Sequence, residues 1–190
     1  GYFDQAGQMR DMVQNHLMQL LCLVAMDPPS KLDANSIRDE KVKVLRALKP
    51  IKEDAINNHL VLGQYTDGQF KQQPAPGYLN EPDANTNSDT ETFIALRVEV
   101  SNWRWTGTPF NLRTGKRMAK RCAEIVVQYK KVSHNVYEDS VGNIEPNRLI
   151  IRLQPQESIQ LTLMSKRLDN LDMQLEPVTM NIELSQAYSN

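Results

Sequence analysis

Two periods of apolar residues divide this chain. From Met9 to Met26, apolar side chains fall at Val13, Leu17, Leu20, Leu21 and Val24. That spacing of i, i+4, i+7, i+8 and i+11 predicts one buried helical face, and Pro28-Pro29 stops the helix. A second helix is predicted from Ser36, which makes a capping-box-like pair with Asp39. Its stripe is Ile37, the methylene stem of Lys41, Val44, Leu45 and Leu48, with Pro50 as its end. Arg38, Asp39, Glu40, Lys41 and Lys43 make the other face charged. From Gly63 to Asn87 the chain is polar and rich in Gly, Pro, Asn and Gln, with no apolar period, so a long loop is expected over 63–90.

The period then changes to two. Ile94, Leu96, Val98 and Val100 alternate with Ala95, Arg97, Glu99 and Ser101. Similar runs follow at Ala123 to Lys130, Arg148 to Leu153, Ser158 to Met164 and Val178 to Leu184. Turn-forming stretches separate them: Gly142-Asn143, Pro146-Asn147, Pro155-Gln156-Glu157 and Asp169 to Asp172. Strands that follow one another without helices favour a mostly antiparallel sheet. The expected fold is therefore α+β: one domain over 1–190, with helices in 9–50 packed on one face of a large antiparallel sheet whose strands lie in 93–184.

Composition narrows the function. The 190 residues are 40% hydrophobic and 24% charged, which suits a globular chain with a real core. Lys and Arg total 22 against 23 acids, for a net charge of −1, so no global field draws in nucleic acid or an anionic membrane. The longest nearly apolar run, Leu17 to Met26, is too short to span a bilayer. Gly1-Tyr2-Phe3-Asp4-Gln5 has no basic n-region and no initiator Met, and is expected to be neither a leader nor a natural start. Cys22 and Cys122 form no disulfide framework and no zinc pattern, so a reduced, cytoplasmic protein is expected.

Two places carry candidate chemistry. Arg10 to His16 places polar groups on or beside a helix whose continuation is apolar. An amphipathic helix with a solvated start accounts for this. Yet His16 lies about 60° from Val13 and about 40° from Leu20 on a helical wheel, at the edge of the buried stripe, where a histidine suits a general base. Asp11 and His16 are about 140° apart on an ideal wheel, so they line one cleft only with a ligand between them. The second place is Trp103 to Lys131, with eight basic residues against Glu124 alone and a local charge of +7. Lys116, Arg117, Lys120 and Arg121 follow Thr114-Gly115. A solvated basic loop and a phosphate-binding turn both fit that pattern. Nucleic-acid binding is weaker, since Trp103 and Trp105 are the only indoles nearby. His59 and His134 have no ligand spacing, so no metal site is expected. No Gly-x-Gly-x-x-Gly follows a strand, and Gly115-Lys116 lacks the rest of a P-loop.

The segments Gly1-Tyr2-Phe3-Asp4, Gly7 and Arg10-Asp11-Met12-Val13-Gln14-Asn15-His16-Leu17 resemble the region around the catalytic histidine of the glucose-6-phosphate dehydrogenase family. Further stretches resemble the same family in order. They are Arg38 to Leu45, Gly63-Gln64-Tyr65, Gly77-Tyr78-Leu79, Trp105 to Phe110, Leu112 to Arg117 and Ile151 to Pro155, so the likeness runs to about Ser185. The resemblance implies the family's carboxy-terminal substrate and dimerisation domain, of bacterial type. The whole enzyme would oxidise D-glucose 6-phosphate to the 6-phosphoglucono-lactone with NADP, at the entry to the pentose phosphate pathway.

It implies His16 as the general base, Asp11 as a ligand of a sugar hydroxyl, and Lys116 and Arg121 at the substrate site. NADP would be bound mainly by a dinucleotide-binding domain that precedes this segment in the family, together with the aspartate partner of the histidine. The fragment alone is expected to be inactive. In some relatives residues matching Arg113 and Arg152 help hold a second NADP, but Cys122 and Val126 here occupy two positions that are basic there. The family pairs through its large sheet, so a homodimer or tetramer is expected, and an exposed face bearing Ile94, Leu96 and Val98 would suit that. A free-standing sugar-phosphate-binding or oligomerisation domain without catalysis is the alternative.

Overall fold

The first apolar stripe forms a helical run that begins seven residues before the spacing indicated. The structure, a computed structural model, describes residues 2–70, 72–82, 84–132, 134, 144–167 and 174–187. Helix α1 (Tyr2–Gln8) passes into a π-helical segment (Met9–Leu17) and then into α2 (Met18–Ala25). A π-helical N–H reaches five residues back, as the Met18 N–H does to the Val13 carbonyl. The wider turn carries the buried face from Val13 to Leu21, Cys22 and Ala25 and leaves Leu23 exposed. Pro28 and Pro29 lie just past the end of the run, as expected.

Helix α3 spans Ala34–Arg46, and its cap is Asp33 rather than Ser36. The Asp33 carboxylate accepts the Asn35 and Ser36 N–H groups, both at 3.0 Å, which satisfies two of the four orphan donors of the first turn. Ser36 sits inside that turn and donates its hydroxyl to Asp33. A 3₁₀ turn (Glu53–Ala55) and α4 (Ile56–His59) lead into strand β1 (Leu60–Gly63). The stretch expected to be a loop carries the hairpin of β2 (Gly68–Phe70) and β3 (Gln73–Ala75), then a 3₁₀ turn (Tyr78–Asn80). Tyr78 is buried there, packed edge-on against Phe3 and Tyr65. One aromatic residue among polar neighbours has no period, so the sequence pattern did not reveal this anchor.

Contacts gather into two compact units, Gly1–Met118 and Ala119–Asn190. In the first, β1 pairs antiparallel with β4 (Phe93–Glu99), and β4 with β5 (Pro109–Gly115). The expected alternation in β4 holds: Ile94, Leu96, Val98 and Val100 are buried. Ile94, Leu96 and Val98 are only 0%, 9% and 7% exposed, because Val13 and Leu21 of the helical run pack on them. Their face is therefore the helices' docking face and is not free for a second copy. Cys22, Ala25, Val44 and Val100 form the adjoining cluster. Burial pushes the Cys22 thiol up, away from thiolate chemistry. Trp105 packs edge-on against Phe110 and donates its indole N–H to the Ala25 carbonyl, so it belongs to the core, whereas Trp103 is fully exposed.

The second unit is one antiparallel sheet in the order β6 (Ala123–Gln128), β7 (Arg148–Gln154), β8 (Ser158–Lys166), β9 (Leu175–Glu183), followed by the short α5 (Leu184–Ala187). These strands match the expected runs to within a few residues. The turn after Gln154 is the expected one at Pro155, while Gly142-Asn143 and Asp169 to Asp172 lie outside the described residues. Cross-strand partners share a face. Val127↔Leu149↔Leu161↔Met180 and Ile125↔Ile151↔Ile159↔Ile182 therefore form two apolar rows on one side, extended by Leu163↔Val178. On that side Val178, Met180 and Ile182 are 43%, 51% and 56% exposed. The architecture is α+β with every described ladder antiparallel.

Candidate functional site

Gly7 breaks the first helix. Its φ of 66° lies in the left-handed region, and a Cβ there would fall 2.5 Å from a carboxylate oxygen of Glu91, so only glycine fits. Beyond the break the Gln8 and Met9 N–H groups turn to Glu91 instead of to α1. The Glu91 carbonyl accepts from Gln8 at 3.1 Å, and its carboxylate accepts from Met9 at 2.8 Å. The π segment starts from this point and carries Asp11 and His16.

The π register changes the relation between those two residues. At about 4.4 residues per turn, positions i and i+5 lie about 50° apart instead of about 140°. Asp11 and His16 are thus brought toward a common face of the segment, Asp11 half-buried and His16 exposed. The ideal α-helical wheel had put them on different faces. No local pattern flags a π-helix, so the correction comes from the backbone alone.

The cationic turn lies at the same end of the first unit's sheet. Register Phe93↔Gly115 places Gly115-Lys116 beside the residues that precede β4, and the Lys116 N–H donates to the Thr92 carbonyl at 2.9 Å. A Cβ on Gly115 would meet the Phe93 ring at 2.9 Å, so the close packing of this turn requires glycine. The Lys116 ammonium rests 3.8 Å from the centroid of the Phe3 ring, on the same helical run that carries Asp11 and His16. Gln8 ties the two parts together by donating to the Thr114 hydroxyl at 2.9 Å. Arg117, next to Lys116, pairs with the Glu81 carboxylate and lies over the Tyr65 ring, so its charge is already matched. Behind the site Tyr78 donates its hydroxyl to Asp4. Burial, and then that carboxylate, push the Tyr78 phenol up to about 12, which keeps it a neutral donor.

Arg121 falls in the second unit, exposed in the segment leading into β6, with Cys122 exposed beside it. His59 meets the Arg97 carbonyl through Nδ1 and is remote in sequence from these groups. Among the described residues no group of three His, Cys, Asp or Glu side chains could hold a metal, and no helix is long and apolar enough to cross a membrane. Phe3, Gln8 and Glu91 were missed by the sequence reading. Gly7, two residues before the predicted helix, was the one local sign of the junction they build.

The fold and these groups define a class: an antiparallel α+β domain in which a polar helix face and a lysine-bearing turn are held side by side. Its described ladders contain no parallel βαβ unit, so these residues do not fit a dinucleotide in the manner of a Rossmann domain. The family model for the glucose-6-phosphate dehydrogenase C-terminal domain matches residues 1–190, and the chain belongs to that family. It is 49% identical over 189 residues to the glucose-6-phosphate 1-dehydrogenase of Rhizobium meliloti (strain 1021), covering 100% of this chain and 38% of that protein. It is also 49% identical to that of Dickeya dadantii (strain 3937), covering 97% of this chain and 38% of that one. Among solved structures it is similar to a glucose-6-phosphate dehydrogenase in complex with its substrate glucose-6-phosphate. That similarity has a TM-score of 0.85 at 35% identity and covers 100% of this chain and 37% of the other. The glucose-6-phosphate 1-dehydrogenase from Mycobacterium avium gives a TM-score of 0.80 at 33% identity, covering 96% and 36%. The chain thus spans little more than a third of the length of these relatives.

Proposed function

We propose that this chain is the substrate-side domain of an NADP-dependent glucose-6-phosphate dehydrogenase. His16 acts as general base on the C1 hydroxyl, Asp11 holds a sugar hydroxyl, and Lys116 binds the substrate. The observation that supports this best is the convergence of the two candidate places: the Gly115-Lys116 turn is bonded to the same helical run that carries Asp11 and His16. A base must stand within hydrogen-bond reach of the proton it takes, and a face shared by Asp11 and His16 can meet neighbouring hydroxyls of one sugar. The Lys116 ammonium supplies charge-assisted hydrogen bonds to an anionic group. NADP, as hydride acceptor, has to be held by another part of the protein. The proposed setting is the cytoplasm and the pentose phosphate pathway.

The test is a hybrid in which this chain replaces the homologous segment of the Rhizobium meliloti enzyme. It is expected to reduce NADP with glucose 6-phosphate and not with unphosphorylated glucose at the same concentration, while the chain by itself gives no turnover. A soluble, dimeric hybrid that binds glucose 6-phosphate but never reduces NADP would instead favour a non-catalytic sugar-phosphate-binding domain.

Assembly through the second unit's sheet belongs to the same proposal. The rows ending in Met180 and Ile182 offer a second copy an apolar face, and burial of such surface gains about 25 cal/mol per Å². Met180→Lys combined with Ile182→Lys should shift the whole enzyme from dimer to monomer in light scattering, since charges cannot be desolvated there without partners. An unaltered dimer would place the interface elsewhere.

A further inference from the structure

Glu91 takes no part in the chemistry assigned above, yet it holds both backbone donors freed by the break at Gly7. The Gln8 and Met9 N–H groups have no helical carbonyl to reach once Gly7 adopts φ 66° and ψ 173°. Such orphan donors need acceptors from elsewhere. Glu91 supplies its carbonyl to one and its carboxylate to the other, from 82 residues away in the chain in the second case. The fit is close, since the missing Cβ of Gly7 is what lets the carboxylate in.

A nine-residue π segment is long for a conformation that mostly appears as single-turn bulges, so something outside it has to select the register. With Met9 and Gln8 pinned to Glu91, α1 cannot continue through Gly7. Asp11 and His16 then stay on the face they share. Without the carboxylate the segment is free to relax toward the α register, in which the two side chains swing to about 140° apart.

We propose that Glu91 is a positioning residue for His16, acting through the π register. The inference rests on the reading of His16 as the base. The experiment is a double-substitution cycle in the whole enzyme, followed by kcat. Glu91→Ala in the wild-type background should lower kcat by about tenfold or more, since a displacement of about 1 Å is enough to cost that much. Glu91→Gln keeps an oxygen that can accept the Met9 N–H and should retain at least about half of kcat. In the His16→Asn background, Glu91→Ala should change kcat by less than about twofold, because there is no longer a base to misplace. Should Glu91→Ala fail to fold, Glu91→Asp, one methylene short of Met9, takes its place in the same cycle.

A loss of the same factor in both backgrounds would make Glu91 a merely structural residue and overturn the proposal. So would a kcat within twofold of wild type for folded Glu91→Ala. Wild-type kcat for His16→Asn alone would instead overturn the assignment of the base and this inference with it, so the two failures are told apart.

Discussion

His16→Asn in the whole enzyme is expected to lower kcat by at least about a hundredfold while KM for glucose 6-phosphate changes much less. Loss of hydride from C1 leaves an oxygen that must shed its proton in the same step, and a positioned base contributes roughly 10²–10⁴-fold to such a step. Asn keeps the shape and a hydrogen-bonding group but cannot take the proton. The loss therefore falls on an interaction made in the transition state, which is why kcat carries it. The exposed ring on the π segment is open to an incoming hydroxyl, as this role requires. In the wild type, kcat should fall on acidification, because a protonated imidazole cannot accept a second proton. Retention of more than a tenth of kcat in the Asn variant, with hydride transfer shown to limit the rate, would leave His16 as a packing or hydrogen-bonding residue.

Lys116→Ala should raise KM for glucose 6-phosphate by roughly 10- to 100-fold with a smaller change in kcat. Each charge-assisted hydrogen bond to the phosphate is worth about 1.5–3 kcal/mol. The cation–π contact with Phe3 is worth about 0.5–1 kcal/mol at an exposed site, so it holds the ammonium in place without outcompeting a phosphate. Arg117 offers an internal contrast. Its guanidinium is already engaged by Glu81 and Tyr65, so Arg117→Ala should act by loosening the turn rather than by removing a phosphate ligand. An unchanged KM for Lys116→Ala would leave Lys116 a solvated surface cation of the turn.

Much of the fold was legible because burial is periodic. The helical stripe around Val13 and Leu21, the alternation in β4 and the four strands of the second unit repeat with the periods of their backbones. Strand β5 was missed because only Phe110, Leu112 and Thr114 alternate inward between Pro109 and Gly115, too short a signal beside the charges of Arg113 and Lys116. Asp33 was missed as a cap because Ser36 with Asp39 offered the same local pattern three residues later.

By itself, then, the sequence determined the α+β class and the two candidate places, since side-chain type and local period are properties of neighbours along the chain. Tertiary structure decided which face each residue takes and what it meets. Ile94, Leu96 and Val98 lie beneath the helices because Val13 and Leu21 dock on them, and an apolar row in the sequence cannot say which apolar partner will cover it. Lys116 meets Phe3 because the β4–β5 register carries Gly115 back to Phe93. Asp11 and His16 share a face because Glu91 supplies acceptors at a break that only Gly7 permits. A hydrogen bond across 82 residues can select one helical register over another, and no window along the chain contains both of its ends.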